Sequence, residues 1–112
     1  RANESDFHKI KLRQRVAVNM EGRSTATQRR ATFPDGKTIS FGLRGYSDYT
    51  IHKDHARMLR YLTRHVKREN WSPSGRFKAG FWSRWLLWSK PSLRGAARET
   101  ERILGGKYRI IL

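Results

Sequence analysis

Apolar and basic residues alternate near the start of the chain. Within residues 7–19, several even positions are apolar and Lys or Arg falls between them; the apolar residues are Ile10, Leu12, Val16 and Val18. A period of two places alternate side chains on opposite faces of a strand. The pattern therefore predicts a β-strand with one buried face.

A β-hairpin is predicted over residues 29–43. Pro-Asp-Gly at positions 34–36 supplies a preset φ, a side chain that can hydrogen-bond within a turn and a residue that tolerates positive φ. Phe33 precedes this turn, and Ile39 and Phe41 follow it. These three apolar side chains are expected on a single buried face.

Apolar residues at helical spacing predict a helix from about Lys53 to Arg68. Thr50 or Asp54 can cap its start, and Pro73 follows its exit. The residues expected on its buried face are Met58, Leu59, Leu62 and Val66.

Two more helices and a final strand follow. A short helix is predicted at residues 81–88, with Phe81, Trp85 and Trp88 on one face. Pro91 or Ser92 opens the next helix, which continues to residue 104. The glycines at 105 and 106 stop it, and residues 107–112 are expected to form a strand that pairs with an N-terminal strand.

These elements predict an α+β fold. We expect a small antiparallel sheet, made from the N-terminal strands and the C-terminal strand, packed by two or three helices. The length of 112 residues suits one domain with one modest core. Residues 1–6 are expected to be a flexible segment and residues 7–112 a single basic domain.

Positive residues form one stripe of the predicted helix. Spaced four, three, four and three apart, they lie within roughly 80° of one another at about 100° per residue. The stripe contains no acidic residue, so helical i,i+4 ion pairs are mostly missing. Either it contacts phosphates or carboxylates, or it is a solvated face. Its members are Lys53, Arg57, Arg60, Arg64 and Lys67.

All four tryptophans lie between residues 71 and 88. We expect most of these aromatic side chains to form core, because a small domain needs large side chains to bury enough area. Exposed rings could instead stack unpaired bases beside basic residues, or insert into a membrane interface or a partner groove. The candidate anion-binding residues outside the stripe are Arg68, Arg76, Lys78 and Arg84.

The charge balance favours an anionic partner. Lys and Arg total 25 against 9 acidic residues, giving a formal net charge of +16. This exceeds the magnitude of roughly 2–8 that serves solubility in a small domain. DNA, RNA, or an acidic protein or lipid surface is therefore the expected partner.

Other classes of chemistry have little support in the sequence. The absence of cysteine excludes disulfides and cysteine-ligated metal sites. His52 and His55 are only a fragment of a metal site, and no phosphate-cradling glycine motif or nucleophile elbow is present. We expect neither an enzyme nor a cofactor or metal.

The hydrophobicity of the chain bears on its location. No run reaches the roughly 18 apolar residues of a membrane span. The N-terminal residues lack the apolar core of a secretory signal. We expect no transmembrane segment and a location within a virion or inside the cell (nucleus, cytoplasm or organelle) rather than secretion.

Several motifs lie in order along about half the chain: GYSDYT at 45–50, HKD at 52–54, Arg60-Tyr61, Arg64-His65, RENW at 68–71 and GFWSRWLLW at 80–88. Together they resemble a family of small basic proteins encoded by nucleocytoplasmic large DNA viruses and related protist sequences. Two positions differ from that pattern: Lys78 stands where it has Thr, and Ser89 where it has Asn. The resemblance implies a large viral or protist assembly and no named activity.

Charge and resemblance together predict a noncatalytic structural component of a large assembly. In a virion such a minor capsid component would lie inside or beneath the capsid and bind nucleic acid or acidic protein surfaces through the basic helix. The alternative is a protein that binds DNA or RNA directly, including a ribonucleoprotein subunit of ribosomal type.

Overall fold

The computed structural model describes residues 13–22 and 26–112. The predicted flexible segment 1–6, and Ile10 and Leu12 of the first strand, lie outside these residues. The strands are β1 (Gln14–Met20), β2 (Thr27–Thr32), β3 (Thr38–Leu43) and β4 (Tyr108–Ile111). The helices are α1 (Tyr49–His52), α2 (His55–His65), α3 (Ala79–Trp82) and α4 (Leu93–Ile103), with a 3₁₀ turn at Pro73–Gly75 and a π-helical turn at Ser83–Leu87.

The strands form one sheet in the order β3-β2-β1-β4. β2 and β3 are the predicted hairpin and pair antiparallel, with Ala31 opposite Ile39. β1 pairs antiparallel with β2, placing Val18 opposite Ala31. Phe33, Ile39 and Phe41 are all buried, which confirms the single apolar face predicted for the hairpin.

The C-terminal strand joins the sheet beside β1, as predicted, but in the parallel direction. Gln14 is opposite Tyr108, and Ala17 is opposite Ile111. After α4 the chain turns through Gly105 and Gly106, both at positive φ, so β4 starts at the end of the sheet where β1 starts. The α+β class is confirmed, and the sheet is mixed rather than wholly antiparallel.

The core lies between one face of this sheet and the helices. From the helical side, the buried side chains come from α3, the π-helical turn and α4. Burial of this apolar surface is the main stabilising contribution, at about 25 cal/mol per Å². The core side chains are Val16, Val18, Ala31, Phe33, Ile39, Phe41, Phe81, Trp82, Leu86, Leu87, Ala96, Ala97, Leu104 and Ile110.

A π-helical turn changes which aromatic residues are buried after α3. Hydrogen bonds from residue i to i+5 widen the turn, so buried positions recur five residues apart: Phe81 with Leu86, and Trp82 with Leu87. Trp85 is only half-buried. The predicted shared face of Phe81 and Trp85 is therefore wrong, because it assumed ordinary α-helical spacing.

The helix α2 is rotated by roughly 70° about its axis relative to the prediction, at about 100° per residue. Its buried residues are Met58 and Tyr61. Leu59 and Val66, predicted to face inward, are 48% and 52% exposed, and Leu62 is half-buried. The predicted inner face is thus largely wrong, because an aromatic stack at Tyr61 sets the rotation of this helix.

The 3₁₀ turn after α2 requires a glycine. A Cβ added at Gly75 would lie 2.1 Å from the carbonyl oxygen of Asn70. We expect Gly75→Ala to lower the free energy of unfolding by about 1–3 kcal/mol, because a backbone atom must move. Denaturant unfolding measures the effect. Gly22→Ala is the control, since no atom of the described residues lies within 4 Å of its added Cβ. Equal unfolding midpoints for the two variants would contradict the prediction.

Candidate anion-binding surface

Two aspartates determine where the basic helix begins. Asp48 caps α1 by accepting a hydrogen bond from the backbone N–H two residues later, at 2.9 Å. Asp54 caps α2 by accepting one from the Arg57 N–H at 3.1 Å, which lowers the pKa of the Asp54 carboxyl. Lys53, between the helices, has a left-handed backbone with φ 57°. The helix therefore begins after Asp54, slightly later than predicted.

Four cations remain in line along α2 and the turn that follows it. All are exposed, and none forms an ion pair with any residue in the described ranges. Three carry guanidinium groups, which can bind phosphate oxygens bidentately. We call this surface the basic ridge; it consists of Arg57, Arg60, Arg64 and Lys67.

Three other predicted cations lie outside the ridge and differ from it. The Lys53 ammonium donates hydrogen bonds to the backbone carbonyls of Thr50 and Pro91. The Arg68 guanidinium donates to the Arg64 carbonyl at 3.1 Å, at the C-terminal end of α2. Lys78 is exposed at the start of α3. Lys53 and Arg68 are thus partly engaged by the fold, and Lys78 belongs to another element.

Arg76 is held within the fold. Its Nε donates to the Tyr108 hydroxyl at 3.2 Å, and its Nη1 donates to the Pro73 carbonyl at 3.0 Å. The guanidinium also lies 4.5 Å from the centre of the Phe77 ring. These contacts join the 3₁₀ turn to β4, so we leave Arg76 out of the proposed binding surface.

Arg84 is also engaged internally. Its guanidinium lies 4.1 Å from the centre of the Trp85 ring and 5.4 Å from that of Trp71. Its Nη1 donates to the Trp88 carbonyl at 3.0 Å. Burial lowers the pKa of this guanidinium, although it stays charged at ordinary pH. Arg84 binds aromatic side chains of its own chain and is likewise left out.

An aromatic stack attaches the basic helix to the rest of the protein. The Tyr61 ring is parallel to Trp88, with centres 4.4 Å apart, and it stacks on His65 at 4.3 Å. His65 Nδ1 lies 2.7 Å from a Glu69 carboxylate oxygen. Burial raises the pKa of the Tyr61 hydroxyl, which therefore stays protonated. The stack sets the rotation of α2 and so the direction of the basic ridge.

The tryptophans have the mainly structural role that was predicted. Trp82 is fully buried, and Trp85 and Trp88 are half-buried against the core. The Trp85 Nε1 donates to the Trp71 carbonyl at 2.7 Å. Trp88 joins the π-helical turn to α2 through Tyr61.

A pocket of about 420 Å³ adjoins the basic ridge. It lies between β3, α2 and the segment formed by α3 and the π-helical turn. Arg64 of the ridge lines it, together with Tyr46, Asp48 and Glu69. The sequence analysis did not predict this pocket, because its walls come from residues up to 61 positions apart, from Thr27 to Trp88.

The two histidines that resembled part of a metal site contact aromatic rings. His52 and His55 lie 6.2 Å and 6.4 Å from Tyr49, measured between ring centres. Among the described residues, no group of three or more His, Cys, Asp or Glu side chains could hold a metal ion. None of the helices in the described ranges has the length and hydropathy needed to cross a membrane.

Comparison with known proteins adds one finding. The model of a family of unknown function (DUF5754) matches residues 28–65, from β2 to the end of α2. No curated protein and no solved structure matches the chain. The family match links the chain neither to viral nor to protist basic proteins. The resemblance to those proteins is therefore wrong, and the virion setting derived from it is dropped.

Proposed function

We propose that this protein binds nucleic acid through the basic ridge, in a noncatalytic role. The observation that carries the proposal is the alignment of four exposed cations, none of which forms an ion pair with a residue that the structure describes. The protein's own acidic side chains neutralise little of this positive charge, because the five ion pairs of the described residues involve other side chains. A polyanionic partner would supply the negative charge that balances this surface.

The dimensions of the ridge suit a phosphate backbone. Arg57 and Lys67 are ten residues apart, which is about 15 Å at 1.5 Å per helical residue. A strand of duplex DNA places one phosphate roughly every 3.4 Å along the axis. The ridge can therefore face about four phosphates. The formal charge of +16 adds attraction at longer range and favours fast association.

A triple substitution tests this proposal. We expect Arg57→Gln, Arg60→Gln and Arg64→Gln together to weaken oligonucleotide binding about tenfold or more at low salt. The slope of log affinity against log salt should fall by about 2–3, since each lost phosphate contact removes about 0.7–0.9. Fluorescence anisotropy of a labelled oligonucleotide at several salt concentrations measures both quantities.

The matched control removes the same charge elsewhere. Arg15, Arg94 and Arg109 are exposed and lie off α2, so replacing all three with Gln should change affinity much less. Equal losses in the two triple variants would mean that net charge, not the ridge, drives binding. If the triple ridge variant is folded and binds as well as the unmodified protein, another surface must make the contact. If the protein binds polyglutamate more tightly than oligonucleotides at the same salt concentration, its partner is an acidic protein rather than nucleic acid.

A further inference from the structure

The pocket beside the basic ridge combines apolar walls with carboxylates. Phe41, Leu87 and Trp88 contribute apolar and aromatic surface. Asp48 and Glu69 contribute carboxylates. Asp48 is almost fully buried and already accepts a hydrogen bond from Thr50. The two Glu69 oxygens contact His65 and Trp71. A carboxylate oxygen can accept more than one hydrogen bond. A volume of about 420 Å³ lies within the range of roughly 300–1,000 Å³ typical of small-ligand sites. A flat, partly polar ring with hydrogen-bond donors suits such walls.

The lining of the pocket also includes a cation and an aromatic ring that remains accessible. Arg64 belongs both to the basic ridge and to the pocket lining. Tyr46, in the connection between β3 and α1, is 70% exposed although it lines the same pocket. An exposed tyrosine ring offers a stacking surface for a base. The pocket and the phosphate-binding ridge thus meet at Arg64.

We propose that this pocket receives one unpaired base of a nucleic-acid strand whose phosphates lie along the basic ridge. This inference rests on the proposed function and narrows its partner to strands with unpaired bases. Arg64 binds the phosphate next to that base, and Tyr46 stacks on the base. The carboxylates of Asp48 and Glu69 favour bases with an exocyclic amino group, because such a group offers two N–H donors to the acceptors, whereas thymine offers only its single N3–H.

Matched single-stranded oligonucleotides test whether bases are bound. The probes are fluorescein-labelled 12-mers of deoxycytidine and thymidine, an abasic strand of equal length, and a duplex. Cytosine and thymine have similar size, but cytosine presents an amino group where thymine presents a carbonyl. We expect the deoxycytidine strand to bind most tightly, and to exceed the abasic strand by about 5- to 150-fold, the range for stacking one base.

Two variants test whether the base lies in this pocket. Tyr46→Ala removes the stacking ring, and Ala79→Phe places a large side chain in the pocket wall. Both positions are exposed, so folding should persist. The controls are Ile51→Ala and Ala56→Phe, which make comparable changes at exposed positions outside the pocket. We expect the pocket variants to bind the deoxycytidine 12-mer at least about fivefold more weakly and to leave abasic-strand binding unchanged.

The outcomes separate this inference from the proposed function. Equal affinity for the deoxycytidine and abasic strands, or pocket variants that behave like their controls, would overturn the base-binding role while leaving the ridge intact. Equal affinity for the deoxycytidine and thymidine strands would overturn recognition by the carboxylates. If the triple ridge variant bound every probe as well as the unmodified protein, the proposed function itself would fail.

Discussion

Replacing Trp82 with Ala is expected to cost about 3–5 kcal/mol of folding free energy. The side chain is fully buried and meets Phe33 and Phe81 edge-on, with ring centres 5.9 Å and 5.7 Å away. Its Nε1 also donates to the Arg76 carbonyl at 2.7 Å, and the substitution leaves that acceptor without its donor. Because small domains are stable by only about 5–15 kcal/mol, this loss is a large share of the total stability and should lower the unfolding midpoint clearly.

Denaturant unfolding followed by far-ultraviolet circular dichroism measures this loss. Trp82→Phe is a graded variant, since it keeps an aromatic ring but loses the hydrogen bond and part of the volume. It should lie between the unmodified protein and Trp82→Ala. Tyr46→Ala, at an exposed position, should stay within about 0.5 kcal/mol of the unmodified protein. A Trp82→Ala variant as stable as Tyr46→Ala would show that the core is packed differently.

Replacing Tyr61 with Ala is expected to cost about 3–5 kcal/mol, as for other buried aromatic side chains, and to loosen α2 in particular. The Tyr61 ring stacks on Trp88 and on His65, so its removal breaks the attachment of the basic helix to the π-helical turn. Thermal unfolding gives the overall loss. Hydrogen exchange should show that protection falls more for α2 amides than for the strands β1 to β3.

Tyr61→Phe is the matched control. It keeps the stacked ring and removes only the hydroxyl, which interacts with Ser83. Its cost should be about 0.5–1.5 kcal/mol, the net value of one hydrogen bond, with α2 protection nearly unchanged. If Tyr61→Ala and Tyr61→Phe had the same stability, or if α2 and the sheet lost protection equally, the stack would not be what holds the basic helix.

Local signals in the sequence predicted several elements correctly. The Pro-Asp-Gly turn at 34–36 lies between β2 and β3. Ser92 caps α4 by accepting a hydrogen bond from the Gly95 N–H at 3.0 Å, and the glycines at 105 and 106 end that helix at positive φ. These signals act within a few residues: a turn, a cap or a stop depends on side chains next to the backbone they control.

Glu101 illustrates the limit of such local reasoning. Its neighbour Glu99 pairs with Arg102 three residues later, a local ion pair of the kind that helical spacing alone can predict. Glu101, however, is buried and accepts a hydrogen bond from the Ile110 N–H at 2.8 Å. It therefore joins α4 to β4, a contact that depends on where the last strand enters the sheet.

By itself, the sequence determined the fold class, the hairpin, the limits of α4 and the line of cations on one helix, because periodicity and capping are local properties. The tertiary structure decided the rotation of α2, the parallel entry of β4, the π-helical turn and the pocket beside Arg64. Each of these depends on contacts between distant segments, such as Tyr61 with Trp88. Arg57 and Arg76 are both candidate anion-binding residues in the sequence, and only packing shows that Arg57 is exposed while Arg76 is held by contacts within the fold.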